Sequence, residues 1–265
     1  MIIIGERINA TRKSVARAIE KKDAAFIQEE VKKQRQAGAH YLDLNAGLGR
    51  GKEKEDLTWL LETVQQVDQG ALALDSSDPA VLTACLPLVK NQDVMINSIN
   101  GEEKRIAGLL PLLKTNPGVK LVVLTMDDTG IPDSAEKRVA IADRLINLLC
   151  QETSLPVENL YVDCLVQPIS VDTRNGLIFL QAIKDLKKLH PRVKTTCGLS
   201  NVSFGLPQRK KINQYFLVVS LACGLDSAII DPTDKEIQEA ICISQTVLGQ
   251  DEYCLNYITF CRQQG

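Results

Sequence analysis

Short apolar runs rich in β-branched residues recur along the chain. They are MIII at 1–4, YLDLN at 41–45, ALALD at 71–75, VMIN at 94–97, KLVVLTM at 120–126, LYVDCL at 160–165, VKTTCGLS at 193–200 and SAIID at 227–231. The stretches between them are long enough for helices, and a repeat of about 33 residues suits one strand, one helix and two short loops. Helix starts are marked as well. Asp78 before Pro79 places a capping oxygen ahead of a residue suited to the first helical position, and Asp133-x-x-Glu136 and Thr233-x-x-Glu236 resemble capping boxes. Phe179, Ile183 and Leu186 recur at spacings of four and three, which lays an apolar stripe along a helix near 173–189. Eight such units, without linker, low-complexity tract or compositional break, predict an α/β fold: a single-domain (β/α)8 TIM barrel over residues 1–265.

Composition narrows the function classes. Lysine and arginine total 31 against 33 acidic residues, and a net charge of −2 gives no global attraction for nucleic acid or anionic lipid. No apolar run reaches membrane-spanning length, and MIII is broken at once by Glu6 and Arg7, so neither a span nor a signal peptide is expected and the protein reads as cytoplasmic. The eight cysteines contain no C-x-x-C pair, which disfavours zinc and iron–sulfur sites and fits small core residues in a reducing compartment. His40 and His190, the two histidines, are too few for a multi-histidine metal centre and lie away from any triad pattern. GLGRGK at 47–52 misses both phosphate-loop patterns and reads as a flexible rim loop.

A barrel of this kind carries its chemistry where strands end. The first run is followed by Glu6, Arg7 and Asn9, and the second carries Asp43 and Asn45, which share one face because side chains alternate along a strand. Asp75, Asn97 and Asp163 close later runs, Ser200 and Asn201 follow the seventh, and Asp231 ends the eighth. Each alone suits a cap or turn equally well. Together they form a ring of carboxylates and amides with Arg7 the obvious nearby cation, better suited to a neutral ligand with several N–H donors than to a phosphorylated sugar. A pterin or purine edge has that character.

The strand ends spell GERIN at 5–9, LDLN at 42–45, LDSS at 74–77, MINS at 95–98, LTMDDTGIP at 124–132, YVD at 161–163 and GLSNVS at 198–203. In this order, from Met1 almost to the end, they resemble the methyltetrahydrofolate:corrinoid protein methyltransferases, a family with a pterin-binding barrel. The resemblance implies that Asp75, Asn97 and Asp163 hold the pterin ring and that Asn201, with Ser200 beside it, lies near the methyl-bearing nitrogen as the catalytic residue. The family's arginine a few residues on corresponds to Arg209, within a PQRKK segment that departs from the family pattern. Glu6, Asn9, Asp43, Asn45 and Asp231 would form the rim or a supporting layer.

What this implies is methyl transfer between 5-methyltetrahydrofolate or tetrahydrofolate and the cobalt of a corrinoid (cobalamin), with direction set by a pathway of acetyl-CoA synthesis or of O- or N-demethylation. No D-x-H-x-x-G signature is present, so the corrinoid is expected on a separate protein that docks transiently over the barrel mouth. No metal bound to this chain is expected, and family members are commonly homodimers. Two alternatives stand beside this reading. A dihydropteroate synthase would share the barrel, yet GERIN occupies the place of its Asn-x-Thr-Pro-Asp-Ser-Phe-like segment and IIDPT at 229–233 lacks a basic strand end for pyrophosphate. A noncatalytic folate-binding subunit of a methyl-transfer complex would keep Asp75 and Asp163 without needing Asn201.

Overall fold

The computed structural model describes residues 1–264. Strands β1 (Ile2–Asn9), β2 (Tyr41–Asn45), β3 (Leu72–Asp75), β4 (Val94–Ile99), β5 (Lys120–Leu124), β6 (Leu160–Asp163), β7 (Lys194–Thr196) and β8 (Ser227–Ile230) are separated by helices. These are α1 (Lys13–Lys21), α2 (Ala24–Gln36), α3 (Glu53–Gln65), α4 (Pro79–Cys85), α5 (Glu103–Thr115), α6 (Ala135–Glu152), α7 (Asn175–Leu189), α8 (Arg209–Ala222) and α9 (Lys235–Val247), with α10 (Leu255–Gln264) after them. Every strand pair is parallel, in the order β7-β6-β5-β4-β3-β2-β1-β8. The two ends of that order meet through a bridge between Gly198 and Ile229, and the Ile229 N–H donates to the Cys197 carbonyl at 2.8 Å. The expected barrel is therefore present and all but closed.

Alternation sorts each strand into two faces. Residues such as Leu42, Leu44, Leu72, Leu74, Val123 and Val162 pack outward under the helices in one continuous core. A second, separate cluster of Ile4, Tyr41, Ala73, Met95, Val122 and Tyr161 fills the barrel's interior. Two residues further along, the same inward rows carry Glu6, Asp43, Asp75, Asn97 and Asp163, so the polar layer begins where the apolar plug stops. At the opposite end, the Tyr41 hydroxyl donates to Asp93 at 2.5 Å and Lys120 pairs with the same carboxylate.

The helix signals are resolved to the residue. Asp78 caps α4 by accepting the Ala80 N–H at 2.8 Å, and Phe179, Ile183 and Leu186 are all buried along α7. The two presumptive capping boxes are each displaced by one position: Ser134 caps α6 and Asp234 caps α9. Asp133 is instead ion-paired with Lys137, and the Thr233 hydroxyl donates to Asp231 at 2.7 Å. The cysteines also divide differently from expectation, with Cys85, Cys164 and Cys197 buried and Cys150, Cys254 and Cys261 exposed. His40 and His190 have structural partners: Nδ1 of His40 accepts the Ile3 N–H, and Nε2 of His190 lies 2.8 Å from Asp143. Among the described residues no helix is long and apolar enough to cross a membrane.

Candidate active site at the barrel mouth

A cavity of about 350 Å³ opens at the carboxyl ends of the strands, lined by Glu6, Asn9, Thr11, Arg12, Asp43, Asp75, Asn97, Ser200, Arg209 and Ile229. Six of these, Glu6, Asn9, Asp43, Asp75, Asn97 and Ser200, were expected from the strand-end pattern, and Arg209 from the family resemblance. Thr11, Arg12 and Ile229 were not, although Ile229 precedes Asp231 by the strand period and Thr11 and Arg12 directly follow the first strand end. Its floor is a hydrogen-bonded set: the Asn97 amide donates to Asp43 at 3.2 Å, and the Asn45 amide donates to Asp75 at 2.9 Å.

Taking these carboxyls out of water disfavours their charged forms. Burial pushes Asp43 well above the usual carboxylate range, and the neighbouring charge of Asp75 adds to the effect. Asp75 is raised by burial too, against the hydrogen bond from Asn45. Glu6 is pushed up to about 7 by burial and by the charge of Asp231, with Arg12, Arg209 and Arg7 opposing. Burial thus shifts these carboxyls toward the protonated form, which can both donate and accept hydrogen bonds.

Asp163 sits in the same inward layer but behind the lining, 6% exposed. Its Oδ1 accepts the Leu165 N–H at 2.7 Å. Burial raises it to about 6, while the backbone N–H groups of Leu165 and Gly198 hold it down. Asn201, expected beside the methyl-bearing nitrogen, is exposed on the short 3₁₀ turn Leu199–Ser203 and is not among the residues lining the cavity. Its amide rests against Gly198, where an added Cβ would lie 3.1 Å from Nδ2. Gly198 thus touches both Asp163 and Asn201. Asp231 also stays out of the wall, since its carboxylate is 2.7 Å from Arg7 Nη1 and 3.6 Å from Arg12. Arg7 in turn is held by Glu30 at 2.6 Å, which makes this group a brace beneath the rim.

Two buried arginines went unnoticed in the sequence because an arginine on an amphipathic helix ordinarily faces water. Arg105 of α5 donates to the carbonyls of Ser76, Ser77 and Ser98, tying the loops after β3 and β4. Arg138 of α6 donates to Pro132 O at 3.0 Å, Cys164 O at 2.8 Å and Leu165 O at 2.6 Å, fixing the loops after β5 and β6. Asp75, Asn97 and Asp163 are positioned by these clamps. Arg209 opens α8, donating to Ser203 Oγ at 3.0 Å and to Ser200 O at 2.7 Å. The 47–52 loop has φ above zero at Gly49 and Gly51, and its Arg50 pairs with Glu20 at 2.8 Å.

The model of pterin binding enzymes matches residues 5–231. The chain belongs to the pterin-binding enzyme family. Within this family, a methylcorrinoid:tetrahydrofolate methyltransferase of Eubacterium limosum is 38% identical over 264 residues, covering 99% of this chain and 97% of that protein. A methionine synthase of Mycobacterium tuberculosis is 35% identical over 242 residues, 87% of this chain, which spans only 20% of that much longer enzyme. Among solved structures, a dihydropteroate synthase of Xanthomonas albilineans with 4-aminobenzoic acid superposes with a TM-score of 0.71 at 15% identity, covering 93% of each chain. One from Yersinia pestis with a pterine-sulfa conjugate gives 0.69 at 16% identity over 94% of this chain and 93% of the other. These two establish a shared barrel. In this pterin-binding enzyme the polar layer lies at the carboxyl ends of the strands, the end at which barrels of this kind carry their active sites.

Proposed function

We propose that this pterin-binding enzyme moves a methyl group between methyltetrahydrofolate and the cobalt of a corrinoid carried by a separate protein. The observation that carries this reading is the near full-length similarity to the Eubacterium limosum methyltransferase, joined to a mouth built of acids and amides. Asp75, Asn97 and Asp163 supply acceptors, and Asn97 a donor as well, for the N–H groups of the pterin edge. Asp43 and Asn45 orient Asn97 and Asp75 through the hydrogen bonds already described. Glu6, Asn9, Ser200 and Arg209 complete the wall, and Asp231 supports it through Arg7.

In the forward direction Co(I) attacks the methyl carbon, the N5–CH3 electron pair returns to N5, and N5 takes up one proton from solvent, leaving tetrahydrofolate and methyl-Co(III). That nitrogen leaves poorly unless its growing negative charge is relieved. Asn201, exposed at the rim and carried on a short turn, would donate a hydrogen bond that strengthens as the bond breaks, which stabilises the transition state above the ground state. The same contact serves the reverse transfer from methyl-Co(III) to tetrahydrofolate.

The partner is expected over the mouth, where cobalt can reach the methyl group. Ile131, Val171 and Leu177 are exposed on the loops after β5 and β6 and at the start of α7, giving that end of the barrel an apolar contact surface. A homodimer is favoured by a second apolar face on α8 and α9, with Tyr215, Val218, Val219, Ile243 and Val247 exposed. Free exposed thiols at Cys150, Cys254 and Cys261 suit a reducing cytoplasm. The direct test mixes purified protein, methyltetrahydrofolate and free cob(I)alamin under strict reduction and follows the corrinoid spectrum. Formation of methylcobalamin supports the reading. Folate binding without any spectral change supports the noncatalytic subunit instead.

A further inference from the structure

The mouth cavity is walled by carboxyls, amides, hydroxyls and two guanidinium groups, with Ile229 its one wholly apolar side chain and no aromatic residue among its lining. The folate substrate brings more than a pterin. An aminobenzoyl ring and a glutamate extend from it, and this arm must leave the cavity and cross the rim. An aryl group crossing a polar rim gains most where it finds another ring face.

Phe204 offers one. It is 63% exposed on the loop after β7. Its backbone is nonetheless fixed on both sides: its N–H donates to Asn201 O at 3.2 Å, and its carbonyl accepts from Ser170 Oγ at 2.7 Å. Gly205, at φ +79°, turns the chain immediately after it, a conformation that disfavours any residue with a Cβ. The Arg209 guanidinium carbon lies 5.9 Å from the ring centroid. That same guanidinium is anchored on Ser200 and Ser203 and lines the cavity, so Phe204 is joined to the site by one side chain. The other exposed aromatic rings among the described residues, Tyr215, Tyr253 and Tyr257, lie on α8 and on or beside α10, whereas Phe204 directly follows the turn carrying Ser200 and Asn201 and faces the cavity-lining Arg209. A large ring held in water by a rigid backbone loses little entropy when a flat partner stacks on it.

We infer that Phe204, backed by Arg209, is the stacking platform for the aminobenzoyl arm of the folate substrate and sets a preference for folates over pterins that lack the arm. This rests on the methyltransferase reading, and its test separates the two. Initial rates with free cob(I)alamin are measured for methyltetrahydrofolate and for a 5-methyl-tetrahydropterin carrying only a methyl group at C6, using wild type, Phe204→Ala and Phe204→Trp. Phe204→Ala is expected to raise KM for methyltetrahydrofolate roughly fivefold to tenfold, with kcat within about twofold, and to leave KM for the armless donor unchanged; Phe204→Trp restores the folate value. An unchanged KM for methyltetrahydrofolate, or an equal rise for both donors, overturns the inference. Wild type inactive with both donors overturns the methyl-transfer reading, and the arm platform with it.

Discussion

Asn201 and Gly198 show how narrow the tolerances of the mouth are. The Asn201 amide lies where a Cβ on residue 198 would stand only 3.1 Å away, and the Gly198 N–H holds Asp163. Replacing Asn201 with alanine is expected to slow methyl transfer by about a hundredfold, on the order of 3 kcal/mol for one donor aimed at developing charge, while methyltetrahydrofolate affinity by calorimetry changes little. Equal losses in rate and affinity would make Asn201 a binding residue only. Glu6 gives a second prediction. Its carboxyl titrates near 7 in the folded protein against an ordinary 4.5, so between these values the folded chain binds more protons than the unfolded one. The associated stability is complete below the ordinary value and is lost as pH rises through about 7. Thermal unfolding of the ligand-free protein should therefore show a decline in stability across that window, at most about 3 kcal/mol from this group. Glu6→Gln should flatten the decline, and an unaltered pH profile in that variant would remove Glu6 as its source.

At the level of elements, strand identity and strand-end chemistry were both legible because period-two alternation fixes which side chains share a face. Ile4 leads to Glu6, Tyr41 to Asp43, Ala73 to Asp75, Met95 to Asn97 and Tyr161 to Asp163, so finding the runs was nearly equivalent to finding the polar layer. What the pattern could not supply was the path of the chain after each strand. Asn201 follows β7 into a 3₁₀ turn and comes to the rim, Asp231 turns toward Arg7, and the caps of α6 and α9 fall at Ser134 and Asp234, one residue beyond the expected Asp133 and Thr233, because of the loops that deliver them. Arg105 and Arg138 were invisible for another reason: their burial is created by loops distant in sequence. Arg138→Met should leave several buried carbonyls without donors and destabilise the protein by about 3 kcal/mol or more in urea unfolding. The substitution should also weaken methyltetrahydrofolate binding through the displaced β6 loop. Stability and affinity both near wild type would show that the loops after β5 and β6 hold themselves.

The whole molecule is a barrel with two unlike exposed apolar regions, one around the mouth and one on the α8–α9 side. The second is the proposed contact between two copies, and Val247, 78% exposed, is its most open residue on α9. Val247→Glu is expected to convert a dimer to a monomer by light scattering while methyl transfer to free cob(I)alamin persists; a wild-type monomer at micromolar concentration would remove the proposed interface. Neither region was apparent from the sequence, since which side of a helix faces water depends on its neighbours. The central claim is that the mouth's acids and amides grip the pterin and present its methyl group outward. A crystal structure with methyltetrahydrofolate bound tests this most directly: the account predicts the pterin edge against Asp75, Asn97 and Asp163 with the Asn201 amide at N5, and a ligand seated elsewhere, or Asn201 turned away from it, would contradict the account.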